Sequence, residues 1–262
     1  MMHQSKIDKY LIISLDKIEN ISYLRFQFQK YGLYVYEMGA VNKKEELKES
    51  LKENEILFYL DYFVIILPKE YSRQSFLWTR FYKIFGELYE NMIDKSINLE
   101  CIGEMLSYIC KKIEINSSST ILDYGCGSGL STLVPFEGKI IGYEPIYEMR
   151  RQARYRGMLA VSSSGIQKIP ENYFDAVFSS YVFHMAVSEE NIKYIINKMK
   201  PDAFWIANFY KGMNEEVINT IFQKNNFIIE QVYDMQEKFG NVYEYRRNGT
   251  TGNKKWFFCR VR

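Results

Sequence analysis

The sequence predicts a doubly wound α/β protein: a mainly parallel, seven-stranded sheet within residues 71–262, preceded by a small N-terminal α/β domain over residues 1–70. Three observations predict it. From Ile121 onward strand-like runs alternate with helical runs of ~10 residues, the pattern of parallel βαβ units. The first of those strands runs straight into a glycine-rich turn, ILDYGCGSGL. An earlier, separate strand and helix alternation closes at Pro68 and the polar stretch KEYSRQ.

In chain order, residues 1–70 read as strand YLIISL, a helix around ISYLRFQFQKYG, strand LYVYEM, helix KKEELKESLKEN and a final strand ILFYLDYFVIILP. In the second helix Leu47 and Leu51 stand one turn apart among charges, which marks a one-sided, solvent-facing helix. Two long helical stretches follow with no strand between them, FLWTRFYKIFGELYENMID and NLECIGEMLSYICKKI. Then come strand TILDYG, a helix after the glycines, strand KIIGYEP, helix YEMRRQARYRG, strands LAVSS and FDAVFSSYVF, helix EENIKYIINKM and strand AFWIANFY. The runs NFIIEQVYDM and KKWFFCRVR are joined by the polar loop EYRRNGTTGNKK without a helix and are expected to pair antiparallel.

Composition narrows the function. Hydrophobic residues make up 47% and charged residues 25%, an ordinary globular balance. A net charge of +2 from 34 basic and 32 acidic residues gives no global reason to expect nucleic acid or an anionic membrane as partner. Cys101, Cys110, Cys126 and Cys259 form no C-x-x-C spacing, so neither a zinc site nor a disulfide framework is expected, and reduced thiols point to the cytoplasm. The start MMHQSKIDKY has no apolar segment, and the 12-residue run ILFYLDYFVIIL carries Asp61, so neither reads as a signal peptide or a membrane span. Aromatics, at 16%, are first of all packing material and only then pocket lining.

A strand that feeds a glycine-rich turn lets a ligand approach the backbone at the C-terminal edge of a sheet, although such a turn also serves tight packing alone. Two features favour a ligand. The next strand ends in Glu144, one βαβ unit after Asp123, where an acid accepts both hydroxyls of a ribose. The glycines Gly125, Gly127 and Gly129 follow G-x-G-x-G, with Leu130 where the dinucleotide form would continue, and Asp123 before them repels a pyrophosphate but attracts an ammonium or sulfonium group.

At these residues the sequence resembles the class I S-adenosylmethionine-dependent methyltransferases. LDYGCGSG looks like that family's first motif and EPIYEMRRQAR like its second. IQKIPENYFDAVFSSYVFHM is similar to the stretch from the third strand's loop through the fourth strand in the small-molecule subgroup typified by quinone-biosynthesis methyltransferases. The resemblance covers roughly Ser72 to Arg262 and implies a Rossmann-like methyltransferase fold with a helical lid over about 71–118, S-adenosyl-L-methionine as cofactor and a small-molecule methyl acceptor. It implies that Asp123, Gly125 and Gly127 line the methionine part, that Glu144 holds the ribose, that Ile146 packs on the adenine, and that Cys126 and Pro145 also belong to the cofactor site. Gly165 and Ile166 would border the adenine edge, Ser179 the methionine end, and Tyr82 in TRFYKIFG would cover the cofactor from the lid, a packed core Tyr being the other reading. Two departures stand out: Gly165 replaces the family's usual Asp for the adenine amino group, and KPDAF replaces the usual Lys-Pro-Gly-Gly turn.

His184 in SYVFHMA resembles the position that faces the transferred methyl, where a neutral imidazole serves either as general base or as pocket wall. Asp175 is expected to anchor a backbone, and Arg150, Arg151, Arg154 and Arg156 to form a solvated helix face. After the fourth strand SSYVF stands in place of an Asn/Asp-Pro-Pro-Tyr/Phe motif, which argues against methylation of amino groups on DNA bases. Two rival readings stay open: a dinucleotide-dependent oxidoreductase and a non-enzymatic, cofactor-binding regulatory or scaffold protein. Residues 1–70 are expected to serve homodimerisation or acceptor access.

Overall fold

The computed structural model describes residues 10–15, 33–38, 55–60, 63–68, 82, 90, 93–183, 187–209, 214–233, 235 and 237–249. The chain divides into two compact units, Met1–Met92 and Ile93–Arg262, so residues 71–92 group with the first unit.

In the first unit β1 (Tyr10–Leu15), β2 (Leu33–Met38), β3 (Glu55–Leu60) and β4 (Phe63–Pro68) form one sheet in the order β2-β1-β4-β3. β1 and β2 are parallel, as a strand, crossover, strand unit requires, while β4 runs antiparallel to both β1 and β3. The apolar run expected as one strand is therefore a hairpin, with Leu60 paired to Phe63 across a two-residue connection. Asp61, the one charge in the run, lies between the two paired strands in sequence. The two helices expected between these strands lie outside the described residues.

The second unit opens with α1 (Lys95–Lys112). Asp94 caps it by accepting from the Ser96 and Ile97 amides, and Lys111 and Lys112 suit the negative end of its dipole. One face, Cys101, Ile102, Met105, Leu106, Ile109 and Cys110, is buried in a cluster with Ile121, Phe178, Phe204 and Ile206. Of the helical lid expected over 71–118, residues 82, 90 and 93–118 are described, and the apolar face of α1 belongs to the sheet's core.

The sheet joins β5 (Thr120–Tyr124), β6 (Lys139–Tyr143), β7 (Leu159–Val161), β8 (Phe174–Ser179), β9 (Met199–Phe209), β10 (Phe227–Gln231) and β11 (Asn241–Arg247) in the order β10-β11-β9-β8-β5-β6-β7. β7, β6, β5, β8 and β9 are parallel; β11 enters antiparallel between β9 and β10. On the face opposite α1, α4 (Glu189–Lys198) and α5 (Glu215–Lys224) bury Ile192, Ile195, Ile218 and Phe222 against Trp205 and Tyr245. The short helices α2 (Tyr147–Tyr155) and α3 (Ser163–Ile166) follow β6 and β7.

Three expectations are corrected. The helix after the glycines is a single 3-10 turn, Leu130–Leu133. Pro135 stops it, because the residue before a proline avoids the helical region, and Val134 is extended at φ −97° and ψ 123°. The last strand is Asn241–Arg247, whose second half, Glu244–Arg247, falls in the stretch read as a polar loop, and it pairs antiparallel with β10 in place of KKWFFCRVR, which lies outside the described residues. The expected KPDAF turn is instead part of β9, where the register against β8 shifts between Phe174 and Ala176.

Candidate functional site

The strand order reverses between β8 and β5, because the chain proceeds from β5 to β6 and β7 on one side and to β8 and β9 on the other. Ligands of open α/β sheets bind outside the C-terminal ends of the strands at such a switch point. The glycine turn after β5, the Glu144 loop after β6 and the Ser180–Phe183 segment after β8 converge there.

The glycine turn is built for close approach. Gly125, Gly127 and Gly129 all adopt left-handed φ values, 79°, 54° and 82°. A Cβ at Gly125 would lie 2.5 Å from Val182 Cγ2, and one at Gly129 would lie 2.8 Å from Ala153 Cα in α2. The turn's own N–H groups are largely spent within the protein. Gly125 N and Cys126 N both donate to the Tyr143 carbonyl at 2.8 and 3.1 Å, and Gly129 N donates to the Cys126 carbonyl at 2.8 Å. Gly127 N donates to Glu144 Oε2 at 3.1 Å. Four of the turn's amides are therefore committed, and the row of free donors that cradles a pyrophosphate is not on offer.

Two buried carboxylates flank this turn. Asp123, at the end of β5, is 3% exposed and accepts a 2.5 Å bond from Ser131 Oγ. Burial pushes its pKa up to about 7, with the Ser131 hydroxyl opposing the shift. Glu144 is 6% exposed, and its Oε1 accepts from Ile146 N at 2.8 Å. Burial raises Glu144 to about 7 as well, against the Ile146 and Gly127 amides and the Arg150 charge. Each carboxylate oxygen of Glu144 keeps a further lone pair for a hydroxyl donor. Within the turn, Ser128 Oγ is buried and has no hydrogen-bond partner among the described residues.

The other expected residues divide by where their side chains go. Cys126 is buried beside Gly142 and Met158, so its thiol is a spacer under the turn, and burial holds it well above the usual thiol range. Pro145 is exposed and Ile146 half-buried at the start of α2. Gly165 N donates to the Ser162 hydroxyl at 3.2 Å in α3, and Ile166 is buried in the core. Ser179 Oγ accepts from the Trp205 indole at 2.8 Å inside the core. Tyr82 is a buried helical residue of the first unit. His184 lies outside the described residues.

Asp175 anchors backbone as expected, accepting from Thr120 N at 2.9 Å and pairing with Lys200. Arg150 does not sit on a solvated face. It is buried and donates to the Glu144 and Pro145 carbonyls at 2.6 and 3.1 Å, which fixes the loop that presents Glu144. Ser131 and Arg150 support the two acids in ways that pattern alone did not mark, since nothing in their spacing shows which buried group each one meets.

Residues 122–205 match the family model described as methyltransferase domain. An uncharacterized methyltransferase of Schizosaccharomyces pombe is 29% identical over 119 residues, 43% of this chain and 46% of that protein, so the chain spans about half the length of this relative. A solved structure of a candidate S-adenosyl-L-methionine-dependent methyltransferase from Methanococcus maripaludis superimposes with a TM-score of 0.50 at 15% identity, covering 63% of this chain and 94% of that one. One from Aquifex aeolicus gives a TM-score of 0.47 at 17% identity over 61% and 95%.

Proposed function

We propose that this chain, whose residues 122–205 match the family model described as methyltransferase domain, is a class I S-adenosylmethionine-dependent methyltransferase that transfers the methyl group of that cofactor to a small-molecule acceptor. The observation that carries the ligand class is the pairing of two buried carboxylates, Asp123 and Glu144, around a turn with four of its amides already committed. That arrangement disfavours a pyrophosphate and favours a ligand with a positive charge and vicinal hydroxyls. It therefore speaks against the dinucleotide reading.

Asp123 and Ser128 would face the charged amino-acid part, and Glu144 the ribose. S-adenosylmethionine supplies an electrophilic methyl carbon: the acceptor's lone pair bonds to it as the carbon–sulfur bond breaks with its electrons going to sulfur. The protein's share is to bind, orient and exclude water, which can supply most of the rate. His184 is the proposed base where the acceptor must also lose a proton; its replacement by Ala should then abolish a pH–rate limb near pH 6 to 7. Amine or thiolate acceptors need no such base.

S-adenosylhomocysteine should raise the melting temperature and give a one-to-one calorimetric isotherm, while NADH and NADPH should do neither. Binding of a dinucleotide in preference to S-adenosylhomocysteine overturns the reading. Mass-shifted products from a metabolite extract would then separate an enzyme from a cofactor-binding scaffold.

A further inference from the structure

Four described residues other than glycine have positive φ, and three are asparagines, which tolerate that region; the fourth is Tyr181, at φ 56°. An aromatic residue held there is a strained backbone that its surroundings must impose, and such strain collects at working sites. The imposing group is identifiable. Tyr181 N donates to Asn208 Oδ1 at 2.7 Å, and Asn208 Nδ2 donates to the Phe239 carbonyl at 2.9 Å. Asn208 is 1% exposed near the end of β9, so both ends of its amide are used inside the core.

The bend places the next two residues where they matter. Val182 and Phe183 are both buried, and Val182 packs over Gly125 so closely that no Cβ fits at that position. The segment after β8 and the glycine turn after β5 are thus interlocked across the switch point, and the interlock depends on a Tyr181 conformation that the chain would not choose unaided. We infer that Asn208 is a positioning residue: by holding Tyr181 left-handed it keeps Val182 seated on Gly125 and the glycine turn ready for the cofactor. Without the Asn208 acceptor, Tyr181 relaxes, the binding-ready conformation becomes a minor one, and apparent affinity falls by the fraction lost.

This inference rests on the proposed cofactor, and its test separates the two. Asn208→Leu keeps the side chain's size and removes its polar ends; it should weaken S-adenosylhomocysteine binding by roughly tenfold relative to wild type. Tyr181→Gly, which takes positive φ without strain, should bind within about threefold of wild type. The double variant should then return to the affinity of Tyr181→Gly, a rescue that a merely structural asparagine would not allow. If Asn208→Leu does not fold, the double variant should fold and bind. An Asn208→Leu that binds like wild type, or a double variant as weak or as poorly folded as Asn208→Leu, overturns the inference. Should wild type itself not bind S-adenosylhomocysteine, the function proposed above fails, and ligand-free melting temperatures still decide this point: Tyr181→Gly must raise Tm more in the Asn208→Leu background than in wild type.

Discussion

Asp123 and Glu144 are buried at the expense of the free protein's stability above neutral pH. Both carboxyls sit near pKa 7 against ordinary values of 3.8 and 4.5, so the folded chain holds protons that the unfolded chain has released. For a raised carboxyl the contribution to stability is complete below the unfolded value and is lost as pH rises through the folded one. The ligand-free protein should therefore lose stability between about pH 4 and pH 7, while affinity for a cationic ligand should climb through the same upper range as the acids ionise. Asp123→Asn should raise stability at pH 8 by on the order of 3 kcal/mol in urea titrations and abolish S-adenosylhomocysteine binding. A variant that is no more stable than wild type at pH 8 would mean that Asp123 is solvated in the folded protein. These two acids and the glycines between them were legible in the sequence, since strand, turn and acid recur at the spacing of one βαβ unit. Ser131 and Arg150 were not, because a serine and an arginine announce no partner until the fold brings Asp123 and the Glu144 carbonyl to them.

At the scale of elements, β11 shows why a strand can hide. Its residues Glu244, Arg246 and Arg247 give NVYEYRR the look of a loop, yet Glu244 and Arg247 each meet a neighbouring helix and Arg246 meets Glu244 of the same strand. Glu244 is 1% exposed, accepts a 2.5 Å bond from Tyr108 of α1, and is paired with Lys112 and with Arg246. Arg247 donates to the Ile196 carbonyl in α4 at 2.8 Å. Burial, and then the carboxylate beside it, holds the Tyr108 hydroxyl well above the usual phenol range, so it stays a donor. Glu244 thus ties α1 to the sheet, and Glu244→Gln should cost about 1–3 kcal/mol in urea unfolding by leaving Arg246 and Lys112 without their counter-charge. Tyr108→Phe, which loses one hydrogen bond, should cost about 1 kcal/mol. Additive losses in the double variant would show that the two residues do not act through each other. Local chemistry likewise explains the 3-10 turn after the glycines, where Pro135 mattered more than the glycine pattern.

For the whole molecule the two units divide the work unequally. Every side chain described around the switch point, from Asp123 and Ser131 to Val182 and Asn208, belongs to Ile93–Arg262. The family match, residues 122–205, falls inside that unit as well. The first unit is a different construction, with β1, β2 and β3 pointing one way and β4 the other, and it has its own sheet. Among the described residues no helix is long and apolar enough to cross a membrane. A chain shortened to residues 93–262 should therefore fold cooperatively and bind S-adenosylhomocysteine within about threefold of the full chain, a difference under 1 kcal/mol. That version lacks Tyr82, which the family resemblance had assigned to covering the cofactor, so it puts that role to the same test. Full affinity in the shortened chain assigns Tyr82 to the first unit's packing and leaves residues 1–92 for homodimerisation or acceptor access, which sedimentation of the full chain then separates. If instead the shortened chain is folded by circular dichroism and does not bind, the cofactor site extends into the first unit, and Tyr82→Ala in the full chain should lower affinity by a comparable factor.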